Sequence, residues 1–283
     1  MGASAPEAQD LGGHARLADA PLIDIRNATI YRGDTRVFEN FSVSIGQHEQ
    51  AAILGPNGSG KTTLLKVINR ELYPVRKDDS WVRILGRETW NVWELRSHIG
   101  IVSHDLQMRY RDTTTGLNVV LSGYLSSVGI HGLLSRQITD EQKEHARTVM
   151  SELGIETLAG KPLRKMSTGQ QRRCLLGRAL VHNPDTLILD EPTAGLDISA
   201  SFDYLARIRH QISGGKSIVL VTHLLNEIPP DIQRLILLRE GRIVADGPKE
   251  VVLTEENLRR TYDTEVRIAK VDGYYLAYPP KSG

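Results

Sequence analysis

The stretch Gly55-Pro56-Asn57-Gly58-Ser59-Gly60-Lys61-Thr62 decides the fold. It satisfies the phosphate-loop pattern G-x-x-x-x-G-K-[ST] at every specified position. Before it, Ala51-Ala52-Ile53-Leu54 reads as a short buried strand. After it, Thr62 to Ile68 reads as a helix, with apolar residues at Leu64, Leu65 and Ile68. Strand, glycine-rich loop and helix in that order suit the binding of a phosphate chain. The glycines let backbone N–H groups turn inward where a Cβ would obstruct. The new helix points its positive end at the same anion. Lys61 is placed to reach the β- and γ-phosphates, and the Thr62 hydroxyl to ligate Mg²⁺. Pro56, Asn57, Ser59 and Thr63 complete the candidate nucleotide contacts of the loop.

The 283 residues hold one large domain or two small ones, and at 40% hydrophobic they can bury a sizeable core. A net charge of +1 gives no global field for nucleic acid or anionic lipid. Cys174 is the single cysteine, so no internal disulfide forms and a reducing compartment is expected. No apolar run approaches the ~20 residues that span a bilayer. The start lacks a basic-then-apolar signal pattern. A membrane role therefore requires a partner.

Working outward, residues 1–20 are Ala- and Gly-rich without a period and are expected to form a flexible tail. Leu22 to Ile25 and Ala28 to Tyr31 read as strand material, Gly33-Asp34 as a turn. Val37 to Ile45 places Phe38, Phe41, Val43 and Ile45 among polar residues as a half-buried strand does. An antiparallel sheet is expected ahead of the phosphate loop. Beyond it, Trp81 to Gly86 and Ile99 to Val102 read as strands, and Trp90 to Ser97 as a short helix. Thr113 to Leu125 and Thr139 to Leu153 show helical spacing. Thr139 is the expected N-cap of the second, with Gln142 three residues on and Gly154 as its stop. Helix and strand then alternate: Gln170–His182, Thr186–Leu189, Ser199–Ile212, Ser217–Val221 and Arg234–Leu238. This alternation predicts a mainly parallel sheet with helices on its faces. Glu240-Gly241 and Asp272-Gly273 carry hairpin-turn chemistry.

A phosphate loop needs an acid at the end of a neighbouring strand to hold Mg²⁺, and Leu187-Ile188-Leu189-Asp190 offers one. Glu191 follows, where a carboxylate can orient an attacking water or take its proton. Two acids after an apolar strand are equally compatible with a solvated strand end. Met166-Ser167-Thr168-Gly169-Gln170 and the run QRRCLLGRALVHNPDTLILDEPTAGLD from Gln171 to Asp197 decide between these readings. They resemble the ATP-binding cassette (ABC) ATPases. The signature of that family is usually Leu-Ser-Gly-Gly-Gln; here Met replaces Leu and Thr168 replaces the first Gly. Gly195-Leu196-Asp197 matches the family's D-loop and Thr222-His223 its switch histidine. Tyr31 falls at its adenine-stacking aromatic, although an aromatic in a strand more often serves packing.

The resemblance covers about residues 22–247. It implies an α/β phosphate-loop NTPase core with an N-terminal antiparallel β subdomain and a helical subdomain at about 105–165. An ATPase domain over 21–247 is then followed by a helix-and-hairpin appendix over 248–283. It implies that Ser167, Thr168, Gly169 and Gln170 meet the γ-phosphate of ATP held by an opposite subunit, so that two head-to-tail chains enclose two ATP molecules. The implied catalytic residues are Glu191, His223 and Lys61, with Thr62 and Asp190 at Mg²⁺. The implied partners are a second copy or a homologous ABC subunit and an integral-membrane transporter subunit, on the cytoplasmic face.

One departure stands out. The family usually has a glutamine directly after the strand at Ile99–Val102, where this chain has Ser103-His104 and Gln107 three residues on. His104 and Gln107 are alternatives for contact with Mg²⁺, the water or the partner, and the amide chemistry favours Gln107. Val102 to Gln107 with Val120-Leu121-Ser122-Gly123-Tyr124 resembles the branch related to molybdate and iron-chelate importers. Gly123, Ser126, Ser127 and Gly129 are small enough for a partner helix to dock closely. The rival reading is a cassette acting on ribosomes, nucleic acid or iron–sulfur assembly. Translation-associated relatives usually hold two cassettes in one chain, and chromosome and repair relatives insert a long coiled coil, neither of which is expected here. Cys174, the pair Arg172-Arg173 and the pair Arg259-Arg260 are expected to be packing or solvated-face residues.

Overall fold

The structure is a computed structural model that describes residues 20–130 and 136–280. The expected tail, but for its last residue, lies outside the described residues. In chain order the elements are β1 (Ile23–Arg32), β2 (Thr35–Ile45), β3 (Gln50–Leu54), α1 (Lys61–Ile68), β4 (Trp81–Ile84), α2 (Val92–His98), β5 (Ile99–Val102), α3 (His104–Met108) and α4 (Gly116–Leu121). Then come α5 (Asp140–Glu152), α6 (Thr168–Leu180), β6 (Thr186–Asp190), α7 (Ile198–Ser213), β7 (Ser217–Thr222), β8 (Arg234–Arg239) and β9 (Arg242–Pro248). The chain closes with α8 (Lys249–Val252), α9 (Glu255–Tyr262), β10 (Arg267–Val271) and β11 (Tyr274–Tyr278).

The unalternating apolar runs become the strands of the large sheet, ordered β5-β6-β7-β3-β8-β9 and parallel except for the β8–β9 hairpin. They lack alternation because both faces are covered. In β3, Ala52 and Leu54 enter the core beneath the helices, while Ala51 and Ile53 enter the core shared with the small sheet. Leu187 and Leu189 divide from Ile188 in β6 in the same way.

The small sheet is antiparallel, in the order β2-β1-β4. The two strand pieces expected before Gly33 are one strand, because Asn27 (φ +47°) admits a bulge that shifts the register between Ile25 and Ala28. Thr113 to Leu125 also differs from expectation: regular helix covers only α4, and Gly123, Tyr124 and Ser126 continue in tighter i→i+3 turns. The helix at Thr139 starts with the expected reciprocal capping box between Thr139 and Gln142. Both Glu240-Gly241 and Asp272-Gly273 have positive φ at their two central positions, the geometry whose twist matches paired strands. The stretch 104–165 contributes Val120, Met150, Leu153 and Leu163 to the same continuous core as the sheet face.

Candidate functional site

β3 lies between β7 and β8, with Leu54 opposite Thr222 and Ile53 opposite Ile236. The phosphate loop thus leaves the middle of the sheet. The Gly55 N–H donates to the Thr222 carbonyl at 3.3 Å. A Cβ at Gly55 would stand 2.1 Å from the Leu238 carbonyl oxygen, so the turn requires a residue without one. Gly60 caps α1. Lys61 folds over its own loop, and its Nζ donates to the carbonyls of Gly55 (2.7 Å) and Pro56 (2.9 Å). Burial holds its amine below the ordinary lysine range, and the nearby Glu191 and Asp190 oppose that shift. Asn57, Gly58, Gly60, Lys61, Thr62 and Thr63 line an open cleft of about 420 Å³ with Glu191, Arg32, Thr35 and Val37. Glycine-rich loop backbone, a helix N-terminus and an ammonium on one wall suit a polyphosphate.

Thr62 also lines an adjoining cavity of about 220 Å³ with Asp190, Ser103 and Asp105. The Asp190 carboxyl is pushed up to about 6, first by burial and then by Glu191 and Asp105, against the pull of Lys61 and Arg172. Its carboxylate accepts no hydrogen bond among the described residues. A hydroxyl and an unpaired carboxylate facing one space are the hard oxygen donors that Mg²⁺ takes, and the residues fit that ion.

Glu191 adopts φ +45°, an uncommon conformation for a residue with a side chain. It is held there because its N–H donates to the Val221 carbonyl at 2.8 Å and its carbonyl accepts from Ala194 N–H at 3.1 Å. Its Oε1 lies 2.9 Å from His223 Nδ1, at the end of β7. A carboxylate and an imidazole in contact beside a phosphate cradle can orient a water and move its proton.

Two supporting residues escaped the sequence reading. Glu227, 1% exposed, accepts hydrogen bonds from the Thr193 N–H and hydroxyl and from the Thr222 hydroxyl. It ties the chain after Glu191 to the chain before His223. Its signal was an acid among Leu224, Leu225 and Ile228. Arg172 corrects an expectation: it is 0% exposed, not on a solvated helix face. Its guanidinium has no hydrogen-bond partner among the described residues and faces Tyr204, Asp190, Glu227 and Glu191. Arg173 does stay near the surface, 3.6 Å from Asp203. Cys174 is buried, its thiol pushed up to about 12.

The other candidates lie outside the cleft. Ser167 caps α6 through a reciprocal box with Gln170. Ser167 and Thr168 are exposed, with Gly169 and Gln170 partly so. Asp197 caps α7 by accepting from Ala200 N–H at 2.8 Å and is exposed. Tyr31 is 41% exposed next to the cleft-lining Arg32. His104 is exposed at the start of α3. Gln107 turns towards α6, its Nε2 donating to Gln171 Oε1 at 2.8 Å, while Ser103 and Asp105 face the cavity beside Thr62 and Asp190.

Known proteins are similar to this chain in sequence and fold. A family described as ABC transporter matches residues 38–194. A putative ABC transporter ATP-binding protein of Streptococcus mutans serotype c is 31% identical, over 89% of this chain and 95% of that protein. The phosphonates import ATP-binding protein PhnC 2 of Oceanobacillus iheyensis is also 31% identical, over 87% and 97%. Among solved structures, the dimeric post-hydrolysis state of the ATP-binding cassette MJ0796 bound to ADP and Pi is 27% identical. It aligns with a TM-score of 0.64 over 80% of this chain and 98% of that one. The chain belongs to the ABC transporter family, as one of its ATP-binding subunits and an ATPase.

Proposed function

We propose that this subunit closes with a second copy, or a homologous one, around two Mg-ATP molecules and so drives a separate membrane transporter subunit. The observation that carries the reading is the split of the site. Lys61, Thr62 and Glu191 share one cleft, whereas Ser167 stands exposed outside it. One chain therefore supplies a cradle and, elsewhere, a helix N-terminus suited to a phosphate. The related cassette solved as a dimer with ADP and Pi supports the same assembly.

In this reading Lys61 and the loop N–H groups grip the β- and γ-phosphates, and Thr62 and Asp190 hold Mg²⁺. Glu191 orients the attacking water and accepts its proton, with His223 holding Glu191 and meeting the γ-phosphate. Tyr31 stacks on the adenine from the lip of the cleft. Ser167, Thr168, Gly169 and Gln170 close over the partner's γ-phosphate, and Asp197 lies at the same boundary. No helix among the described residues is long and apolar enough to cross a membrane. We place the subunit on the cytoplasmic face through its partner. Arg96, Leu106, Arg109, Gly123, Ser126 and Val128 wall the same cavity away from Thr62 and Asp190, and that side is the docking place we assign to the partner.

The test is light scattering of Glu191→Gln with Mg-ATP. That variant keeps the hydrogen bonds of Glu191 but loses its basicity, so hydrolysis should fall by roughly 10²-fold or more. ATP should then hold a long-lived dimer by mass action. Ser167→Arg on the same background should abolish the dimer and leave ATP binding to the monomer intact. A dimer indifferent to both ATP and Ser167→Arg would sink the shared site.

A further inference from the structure

The appendix after β9 touches the switch loop directly. Tyr262, the last residue of α9, donates its hydroxyl to the backbone carbonyl of His223 at 3.1 Å. The ring is packed against the main core. The same loop is held again further on: the buried Lys249 Nζ donates to the carbonyls of Pro229 and Pro230, both at 3.0 Å. The β10–β11 turn presses Gly273 against Pro230, where a Cβ would approach the proline side chain to 2.9 Å. The anchor of this strap is itself fixed to the sheet. Arg239 in β8 donates to the Arg260 carbonyl at 2.7 Å and pairs with Asp263 at 3.4 Å.

Among the described residues His223 has a single polar side-chain contact of its own, the 2.9 Å approach of Nδ1 to Glu191 Oε1. That contact sets the ring only if the backbone carrying it is set. On one side Thr222 is fixed by β7 and Glu227. On the other, the His223 carbonyl accepts from the Tyr262 hydroxyl.

We propose that Tyr262 is a positioning residue for ATP hydrolysis, acting through the His223 backbone to keep the imidazole on Glu191. The proposal rests on the role given above to His223. It makes the appendix part of the catalytic apparatus, because a displaced α9 releases the switch loop.

The test uses the full chain and four proteins: wild type, Tyr262→Phe, His223→Ala and the double variant. Tyr262→Phe deletes one hydroxyl and keeps the packed ring. Losing one such hydrogen bond should lower kcat by roughly three- to tenfold, with KM for Mg-ATP and the thermal midpoint near wild type. On the His223→Ala background, followed by single-turnover hydrolysis, Tyr262→Phe should cause no further loss. A wild-type kcat for Tyr262→Phe overturns the proposal. So does the full loss reappearing in the double variant, which would show that Tyr262 acts elsewhere. A wild-type rate for His223→Ala alone overturns the underlying reading of His223 and is recognisable as that separate failure.

Discussion

Asp190 should weaken the empty protein. Its carboxyl has an ordinary value of 3.8 and is pushed up to about 6, mainly by burial. Between those values the unfolded chain has released the proton and the folded chain has not. The folded state binds more protons there, so stability falls as pH rises from about 4 to 6 and is level above. At ~1.4 kcal/mol per pH unit the gap amounts to about 3 kcal/mol. Partial exposure of the group screens this towards about 2 kcal/mol. Asp190→Asn imitates the protonated form and removes the penalty. Without nucleotide and with a chelator present, its urea unfolding should lie about 2–3 kcal/mol above wild type at pH 8. The advantage should be roughly half as large at pH 5, where the folded wild type is mostly protonated. Saturating Mg-ATP should reverse the order, because only the carboxylate gains from the ion. An Asp190→Asn protein no more stable than wild type at pH 8, or an advantage that does not shrink at pH 5, would refute the reasoning.

Two further perturbations separate the loop from the coupling apparatus. Gly55→Ala sets a methyl 2.1 Å from the backbone oxygen of Leu238, which cannot rotate away. It should cost about 1–3 kcal/mol in thermal or urea unfolding and weaken ATP binding, and wild-type values for both would contradict the close approach. Gln107→Ala cuts the 2.8 Å tie from α3 to Gln171 in α6. With the membrane partner present it should reduce stimulated hydrolysis more than basal hydrolysis, whereas equal losses would assign Gln107 to the chemistry.

What could be read in the sequence was local. The phosphate loop, the Asp190-Glu191 pair, the Thr139–Gln142 box and the Glu240-Gly241 turn each declare themselves within a few residues. The central strands were legible for a related reason: burial on both faces leaves nothing but apolar residues in Ile218 to Val221. Long-range burial was not legible. Arg172 looks like any basic residue beside Arg173, and only the packing of α6 within the core removes it from water. Tyr262 and His223 are 39 positions apart, and no period or spacing links them. The direction of Gln107 depends on where α6 passes, and it is Ser103 and Asp105, not Gln107, that line the cavity with Thr62 and Asp190. The bulge at Asn27 made one strand resemble two, because the alternation slips by a residue there.

Helix α6 gives the molecule a lever. Its 13 residues make a rod about 20 Å long at 1.5 Å per residue. Ser167 is at one end, and the other end leads within a few residues to β6 and Asp190. Near that second end Gly177 faces Val120, where a Cβ would meet the valine methyl at 3.1 Å. If the rod pivots there through about 10°, its Ser167 end sweeps about 3 Å, roughly the length of one hydrogen bond. In the proposed closed dimer, a tilt of that size is enough to bring Ser167 onto a phosphate or take it off. On the proposed function, the stroke is set by the length of one helix rather than by any large rearrangement of the fold.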